Sequence, residues 1–167
     1  WVLVEALEGL AGSWELHLVG QGPLESALRD QLGREGLMER VRFLGHIPSG
    51  DMPARLEQMD ILVLPSLTRR NWAEQFGRVL IEAMACQVAV VGSDSGEIPH
   101  VIGDGGLVVP EGDPVALRTV LGTLVGDAAM RQRLSEKGRS RVLERYTQAR
   151  VVAQTVSFYR ELLRSAG

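Results

Sequence analysis

The chain has 167 residues, of which 45% are hydrophobic, and a formal net charge of −3. This length fits one domain with a substantial buried core. The negative net charge, without a basic stripe, argues against nucleic acid as a partner. The longest apolar runs reach about five residues, whereas a membrane-spanning helix needs roughly 20. We therefore expect a soluble globular domain, and a peripheral contact with a membrane stays open.

Cysteine and histidine usage points to a reducing compartment. The single cysteine, Cys86, has no partner for an internal disulfide, and no Cys/His cluster has the spacing of a zinc site. Cys86 itself is expected to be a small core residue behind a helix. The sequence therefore predicts a cytoplasmic protein, either free or peripheral to a membrane.

Helical and strand patterns alternate along the first two thirds of the chain. Strand patterns, short and apolar, are predicted over residues 14–19, 41–44, 61–64, 88–91 and 107–109. Helical patterns are predicted in the opening segment WVLVEALEGLAG and over residues 24–34, 52–58, 76–86 and 98–102. Apolar strands interleaved with helices are typical of a parallel sheet covered on both faces.

The last third of the chain is predicted to be helical. Asp113 caps one helix, with Pro114 at its first position, and further helices cover residues 128–145 and 148–164. The fold class is therefore α/β, a doubly wound parallel sheet of the Rossmann type with a helical C-terminal tail. In such sheets, ligands bind beyond the carboxyl ends of the strands.

The most informative stretch is EQFGRVLIEAMAC, in which seven residues separate Glu74 from Glu82. Gly77 lies near the predicted start of the helix, so Glu74 lies at the helix N-terminus and Glu82 lies inside the helix. A helix N-terminus suits a phosphate, because it offers unpaired N–H groups and a partial positive charge. A carboxylate on each side can accept hydrogen bonds from the hydroxyls of a sugar nucleotide. The alternative is that both glutamates are solvent-exposed helix formers.

The run from Ile61 to Pro110 carries a family resemblance through this glutamate pair, the following EAMA and a small-residue turn. It resembles the nucleotide-binding half of retaining glycosyltransferases of the GT-B fold, the family 4 or group 1 enzymes. The resemblance implies that residues 1–167 form a single donor-binding domain. It also implies that the chain is truncated at its N-terminus, without the acceptor-binding domain, without the first central strand and without the arginine and lysine that follow that strand.

The resemblance assigns roles to the residues of the motif. Glu74 matches the carboxylate placed near the transferred sugar and its anomeric carbon, and is the candidate catalytic residue. Glu82 matches the glutamate that binds the ribose hydroxyls. Phe76, Gly77, Arg78 and Val79 are implied to direct backbone N–H groups towards phosphate or sugar oxygens. The Arg78 side chain either approaches the pyrophosphate or belongs to a solvated helix face.

Two further loops resemble ligand-binding parts of the family. Gly20 and Gly22 match its first glycine turn, where a missing side chain lets a ligand approach the backbone, although an ordinary turn is nearly as good an interpretation. His46 and Ile47 match the loop that meets the nucleotide base. The turn at residues 93–96 suits either substrate contact or capping of the next helix.

The sequence departs from the family pattern just after Cys86. Relatives commonly have glycine and, two residues later, proline, where this chain has Gln87 and Ala89. A residue other than glycine costs little at position 87 if its backbone avoids positive φ, and more if it does not.

The implied reaction moves a glycosyl group from a nucleoside diphosphate sugar to an acceptor hydroxyl of a glycan or glycolipid, with retention of anomeric configuration. No cofactor is expected, and metal independence is expected because no DxD-like pair ends a strand; Asp94 lies between Ser93 and Ser95. This half alone is expected to be inactive, because the acceptor binds mainly to the other domain. Two alternatives remain: a non-catalytic GT-B-like partner subunit, and a related GT-B enzyme such as a sugar-nucleotide epimerase or a phosphorylase.

Overall fold

A computed structural model describes residues 1–165 of the chain. Five strands alternate with helices: β1 (Leu16–Val19), β2 (Val41–Gly45), β3 (Ile61–Leu64), β4 (Ala89–Ser93) and β5 (Leu107–Val109). The helices are α1 (Val2–Leu7), α2 (Glu25–Arg34), α3 (Met52–Leu56), α4 (Arg78–Ala85), α5 (Ile98–Ile102), α6 (Pro114–Gly126), α7 (Ala128–Arg145) and α8 (Gln148–Ser165). A 3₁₀ turn, Met38–Arg40, precedes β2.

All strand pairs are parallel, and they form two ladders. One ladder joins β1 to β2, and the other runs in the order β3-β4-β5. Within residues 1–165 no hydrogen-bonded ladder connects the two, so β1 and β3 each keep an unpaired edge. The central strand that the family pattern places between them stays a prediction.

Helices cover both faces of the strands, as a doubly wound fold requires. On one face, α1, α2 and α6 bury residues such as Leu7, Leu32 and Leu121. On the other face, α3, α4 and α5 pack around Met84. The alternation along β4 decides which residue serves which face, because successive strand side chains point to opposite sides. Ala89 and Val91 therefore join the first cluster, while Val90 joins the second.

Most of the predicted elements are confirmed, with differences at their ends. The segments 61–64, 98–102, 107–109 and 128–145 have the predicted bounds, and α6 begins at Pro114 behind Asp113. The Asp113 carboxylate accepts hydrogen bonds from the N–H groups of Val115 and Ala116 at 3.0 and 2.9 Å. The strand predicted over 14–19 begins only at Leu16, and the opening helix ends at Leu7.

The predicted start of α4 at Phe76 is wrong. Gly77 has φ +66° and ψ +52°, a left-handed conformation that cannot continue a right-handed helix, so α4 begins at Arg78. Glu82 is therefore the fifth residue of the helix. The predicted following strand begins at Ala89 and extends to Ser93, two residues beyond the apolar run.

Arginines of α7 hold the carboxyl ends of three other helices. Arg131 donates to the carbonyl of Leu124 in α6, Arg139 to that of Ala85 in α4, and Arg141 to that of Val101 in α5. Guanidinium groups at helix C-termini satisfy orphan carbonyls and complement the negative end of the helix dipole. Helix α7 therefore holds the C-terminal end of α4 in place through Arg139.

The final helix, α8, differs from the others because every one of its residues is solvent-exposed. It carries the exposed apolar side chains Val152, Phe158, Tyr159 and Leu163. None of the helices described within residues 1–165 combines the length and the hydropathy required to cross a bilayer.

Candidate functional site

The carboxyl ends of β1 to β4 each lead into a loop, so two loops lie at one edge of each ladder. Gly20 follows β1 and His46 follows β2, and the Gly20 N–H donates to the carbonyl of Gly45 at 2.7 Å. In the second ladder, residues 65–77 follow β3 and residues 94–97 follow β4. The sequence-predicted site residues therefore lie on loops at strand ends or in the first turns of α4.

We call the N-terminal end of α4, residues 74–79, the α4 mouth, and Gly77 sets its geometry. It is buried, and a Cβ at this position would lie 2.9 Å from Leu80 Cδ1 and 3.2 Å from Leu64 Cδ2. Its left-handed backbone adds a second reason why only glycine fits. The N–H groups of Arg78 and Val79, first in the helix, find no acceptor within residues 1–165. The mouth therefore presents free donors at the positive end of the helix dipole.

The Glu74 carboxylate is fixed at this mouth. Its Oε1 accepts a hydrogen bond from the Gly77 N–H at 3.1 Å, and its Oε2 accepts one from the Ser66 hydroxyl at 3.3 Å. Its backbone carbonyl accepts from the Glu97 N–H at 3.0 Å. Glu74 is half-buried, so the carboxylate keeps part of its surface open beside the free N–H groups. It positions the loop and remains accessible to a ligand.

The loop after β4 supports Glu74 from the other side. Gly96 has φ +55°, and a Cβ there would lie only 2.1 Å from the Glu74 carbonyl oxygen. The Ser93 hydroxyl donates to the Ser66 carbonyl at 2.6 Å, and the Ser95 hydroxyl shares a hydrogen bond with Thr68 at 2.9 Å. These bonds join the two loops. They were missed at the sequence level, because nothing in the sequence pairs serines about 27 residues apart.

The turn at residues 93–96 does not cap α5. The residue at the cap position is Glu97, and its side chain makes no capping hydrogen bond. Asp94 instead accepts a hydrogen bond from the Glu111 N–H at 2.7 Å. The capping interpretation of this turn is therefore wrong, and the turn ties neighbouring loops together.

Glu82 lies one turn along α4 from Arg78. Arg78 Nη2 is 3.6 Å from Glu82 Oε1, and the Arg78 side chain is 81% exposed. Such an exposed i,i+4 pair contributes little, so it leaves Glu82 available to a ligand. Glu82 also lines a cavity of about 600 Å³ between α3 and α4, together with Ser49, Met52 and Cys86.

Phe76 is exposed in part and contacts the end of α7. Its ring lies 5.9 Å from that of Tyr146 in an edge-to-face arrangement. The Tyr146 hydroxyl is buried and has no hydrogen-bond partner within residues 1–165. Phe76 thus packs the α4 mouth against the helical tail, which the sequence reasoning did not predict.

The remaining predicted residues lie on the β1–β2 ladder. Gly20 has φ +119°, which requires glycine, whereas Gly22 does not have a positive φ, and both have open space where a side chain would stand. His46 is exposed and Ile47 is half-buried. Ser49, which lines the cavity beside Glu82, follows closely after this loop. His46 and Ile47 themselves do not line that cavity.

Gln87 has a positive φ, the backbone conformation that is costly for a residue other than glycine. Its φ is +58°, the single positive φ among residues other than glycine in the described chain. It ends α4 in a Schellman motif: the Val88 N–H donates to the Ala83 carbonyl at 3.0 Å, and the Gln87 N–H to the Met84 carbonyl at 3.1 Å. Ala89 starts β4 and is buried.

Titration and metal-binding geometry add two observations. Burial raises the pKa of the Cys86 thiol, with smaller contributions from Glu57 and Glu82 against that of Arg139. Across residues 1–165, no group of three or more His, Cys, Asp or Glu side chains is placed to hold a metal ion. Metal independence itself stays a prediction.

Comparison with protein families gives a match over most of the chain. The model of the family described as "Glycosyl transferases group 1" matches residues 2–141. The chain is 36% identical over 163 residues to the phosphatidyl-myo-inositol mannosyltransferase of Mycobacterium leprae. That alignment covers 95% of this chain and 41% of the relative, so the chain spans about two fifths of the relative's length.

Two solved structures superpose on nearly the whole of this chain. Sucrose-phosphate synthase from Thermosynechococcus elongatus superposes with a TM-score of 0.83 at 28% identity, covering 98% of this chain and 42% of that chain. Anabaena HepE, solved in complex with UDP, superposes with a TM-score of 0.81 at 25% identity, covering 93% and 44%.

Proposed function

The chain belongs to the group 1 glycosyl transferases, and from that membership we propose that it is the donor-binding half of a retaining, family 4 type glycosyltransferase. The proposed reaction transfers a glycosyl group from a nucleoside diphosphate sugar to an acceptor hydroxyl of a glycan or glycolipid. The proposed N-terminal acceptor domain is the other half of the same protein. The proposal also includes a cytoplasmic site of action, with peripheral contact to a membrane as an option.

The observation that carries this proposal is the α4 mouth. Gly77 opens the helix in a left-handed turn, the N–H groups of Arg78 and Val79 are free in the described chain, and the Glu74 carboxylate lies beside them. Free helix N–H groups bind phosphate oxygens, and a carboxylate binds sugar hydroxyls. A diphosphate at the mouth would therefore have its sugar next to Glu74.

The nucleoside end of the donor is proposed to lie along α4. From the mouth, the next acidic side chain on the helix is Glu82, which lines the cavity of about 600 Å³. A ribose bound there would direct its hydroxyls to Glu82, while the base would approach His46 and Ile47. HepE, which has the same fold, was solved in complex with UDP, which supports a nucleotide as the ligand.

The chemistry supported by this arrangement is stabilisation of a departing diphosphate. Negative charge develops on the leaving oxygen as the glycosyl bond breaks, and fixed N–H donors stabilise it without reorganising. Arg78 pairs with Glu82 at 3.6 Å in the free chain, and its exposed side chain can turn towards the diphosphate. Glu74 is proposed to hold the transferred sugar with its anomeric carbon open to the acceptor.

A non-catalytic partner subunit is the second candidate, and Gln87 and Ala89 are the sequence features in its favour. Gln87 lies at the opposite end of α4 from Glu74, and its left-handed backbone costs about 1–2 kcal/mol. A departure at that end leaves Gly77 and both glutamates in place. The enzyme is therefore the better supported proposal.

Nucleotide binding tests the donor site directly. UDP and GDP are titrated by calorimetry into the intact gene product and into its Glu82→Ala variant. We expect one nucleotide to bind and its affinity to fall about tenfold on substitution, because a charge-assisted hydrogen-bond pair is lost. Unchanged affinity in Glu82→Ala would contradict the ribose role.

Glu74 is tested by turnover, with Glu35→Gln as the matched control. Donor hydrolysis or transfer should fall at least about a hundredfold in Glu74→Gln, with nucleotide affinity kept within about threefold. Glu35 is exposed at the C-terminal end of α2 and has no proposed contact with the donor, so turnover in Glu35→Gln should stay near that of the wild type. A wild-type protein that binds nucleotide and never turns over would favour the partner subunit.

A further inference from the structure

The loop between β3 and α4 contains a tight turn, residues 69–72, which the proposed donor site does not use. The Arg69 N–H donates to the Trp72 carbonyl at 2.7 Å, and the Trp72 N–H donates to the Arg69 carbonyl at 3.1 Å. This reciprocal pair is an antiparallel bridge, and it leaves Arg70 and Asn71 at the tip. We call residues 69–72 the RRNW turn.

The RRNW turn is anchored on both sides. Before it, the Thr68 N–H donates to the Glu111 carboxylate at 2.7 Å, and the Thr68 hydroxyl bonds to Ser95 at 2.9 Å. After it, Glu74 is fixed through the Gly77 N–H. A segment held in this way loses little conformational entropy when it binds a ligand. The RRNW turn therefore presents its side chains from a backbone that is already ordered before a ligand binds.

The side chains that the turn exposes have the chemistry of a carbohydrate contact. Trp72 is 51% exposed although tryptophan is highly buried on average, and exposed tryptophans are enriched at binding surfaces. The negative face of an indole ring attracts the partly positive C–H hydrogens on one face of a sugar ring. Arg69 and Arg70 are exposed, and no acidic partner within residues 1–165 pairs with them. The guanidinium groups of two adjacent exposed residues suit a phosphate.

We propose that the RRNW turn binds the acceptor, and that the acceptor is a phosphorylated sugar or polyol. Trp72 packs on its ring, and Arg69 and Arg70 bind its phosphate. The inference rests on the proposed function, because the acceptor hydroxyl must reach the anomeric carbon beside Glu74. The turn ends two residues before Glu74, so one anchored loop carries both the proposed acceptor contacts and the proposed contact with the transferred sugar. The phosphate is either that of a free sugar phosphate or that of a lipid headgroup.

The test measures binding of glucose 6-phosphate to the intact gene product by calorimetry, in the presence of saturating UDP or GDP. We expect the dissociation constant to rise about tenfold in Trp72→Ala and to stay within about threefold in Trp72→Phe, which keeps the aromatic face. It should also rise about tenfold in Arg69→Gln/Arg70→Gln. Arg34→Gln, at an exposed position in the last turn of α2, is the charge-matched control and should have no effect.

Two parallel titrations identify the source of the phosphate. Unphosphorylated glucose should bind more weakly than glucose 6-phosphate and should not respond to the arginine substitutions. Phosphatidylcholine vesicles with and without phosphatidylinositol distinguish a lipid headgroup from a soluble sugar phosphate. Binding to either phosphorylated probe that depends on the turn supports the proposal. Binding to neither, or binding that is equal in all variants, overturns it.

Nucleotide affinity separates this inference from the proposed function and also verifies folding of each variant. If UDP and GDP both fail to bind the wild type, the proposed function fails. If nucleotide binds and depends on Glu82 while the RRNW variants leave glucose 6-phosphate binding unchanged, only the acceptor inference fails. If the arginine variants weaken nucleotide binding instead, the turn belongs to the donor diphosphate and the acceptor inference is overturned.

Discussion

The two ends of α4 have the same backbone conformation and different residues in it. Gly77 precedes the helix with φ +66°, and Gln87 follows it with φ +58°. At the first end, a Cβ would lie within 3.2 Å of both Leu80 and Leu64, so space and backbone both demand glycine. At the second end, Gln87 is solvent-exposed, so only the backbone strain remains.

This difference shows that a positive φ alone does not decide whether glycine is required. The strain of a left-handed residue costs about 1–2 kcal/mol, which a stable domain tolerates. Overlap with packed neighbours adds to it, because a dense interior cannot move away without losing contacts. The mouth of α4 therefore does not accept a side chain at position 77, while its C-terminal end accommodates Gln87.

Gly77→Ala should have the largest effect on stability. We expect a loss of about 2–4 kcal/mol, since the new methyl group combines backbone strain with overlap at Leu80 and Leu64. Thermal and urea unfolding of the purified protein measure it. Gly33→Ala, in the last turn of α2 with open space around the position, is the control and should stabilise by about 0.5–1 kcal/mol. Equal effects of Gly77→Ala and Gly33→Ala on stability would show that overlap with Leu80 and Leu64 adds no cost at Gly77.

Arg139→Gln tests how firmly the C-terminal end of α4 is held. Arg139 donates to the Ala85 carbonyl from α7, and its loss should cost about 1 kcal/mol of stability. Arg133→Gln, on an exposed position of the same helix, should change the unfolding midpoint very little. If both variants unfold alike, the guanidinium contact does not stabilise that end.

Gln87→Gly should remove the strain at the second end and stabilise the protein by about 0.5–1 kcal/mol. The gain is smaller than the strain because glycine also increases the entropy of the unfolded chain. Gln31→Gly, in the right-handed interior of α2, should destabilise by about 1 kcal/mol. Opposite signs for the two glutamine variants would confirm the role of φ, and a destabilised Gln87→Gly would refute it.

The smallest expected effect is on the Cys86 thiol, at the same end of α4. Burial raises its pKa, so less thiolate is present at pH 8 in the folded protein than in the unfolded chain. The contribution of this group to stability is full below the unfolded pKa and is lost as pH rises through the folded value. Iodoacetamide alkylation should therefore be slower in buffer than in urea, with a midpoint at higher pH. An equal or lower midpoint would show that the thiol is not desolvated.

Much of the fold could be predicted from local sequence. Short apolar runs bounded by aspartate, glycine or proline gave β3 and β5 with their observed ends, and Asp113 with Pro114 gave the start of α6. These features depend on neighbours within a few residues, and so propensity and periodicity describe them well. The start of α4 was misplaced by two residues, because a left-handed Gly77 inside a helical pattern is not visible to periodicity.

The candidate site was predicted in composition and only partly in arrangement. The glutamate spacing selected Glu74 and Glu82, but not the hydrogen bonds that fix Glu74 to Ser66 and Gly77. The contact of Gly96 with the Glu74 carbonyl and the anchored RRNW turn were also missed. These contacts join segments that are separated along the chain, and only the folded arrangement of the strands brings those segments together.

By itself, the sequence determined the alternation of helices and strands, the parallel sheet covered on two faces, and the residues at the mouth of α4. It did so because each depends on short-range patterns and on the handedness of L-residues. The tertiary structure decided where α4 begins, that Gln87 bears a left-handed strain, that Glu82 shares a cavity with Ser49, and that Trp72 lies exposed on an anchored turn. These properties arise from packing and hydrogen bonds between distant segments, which no local pattern contains.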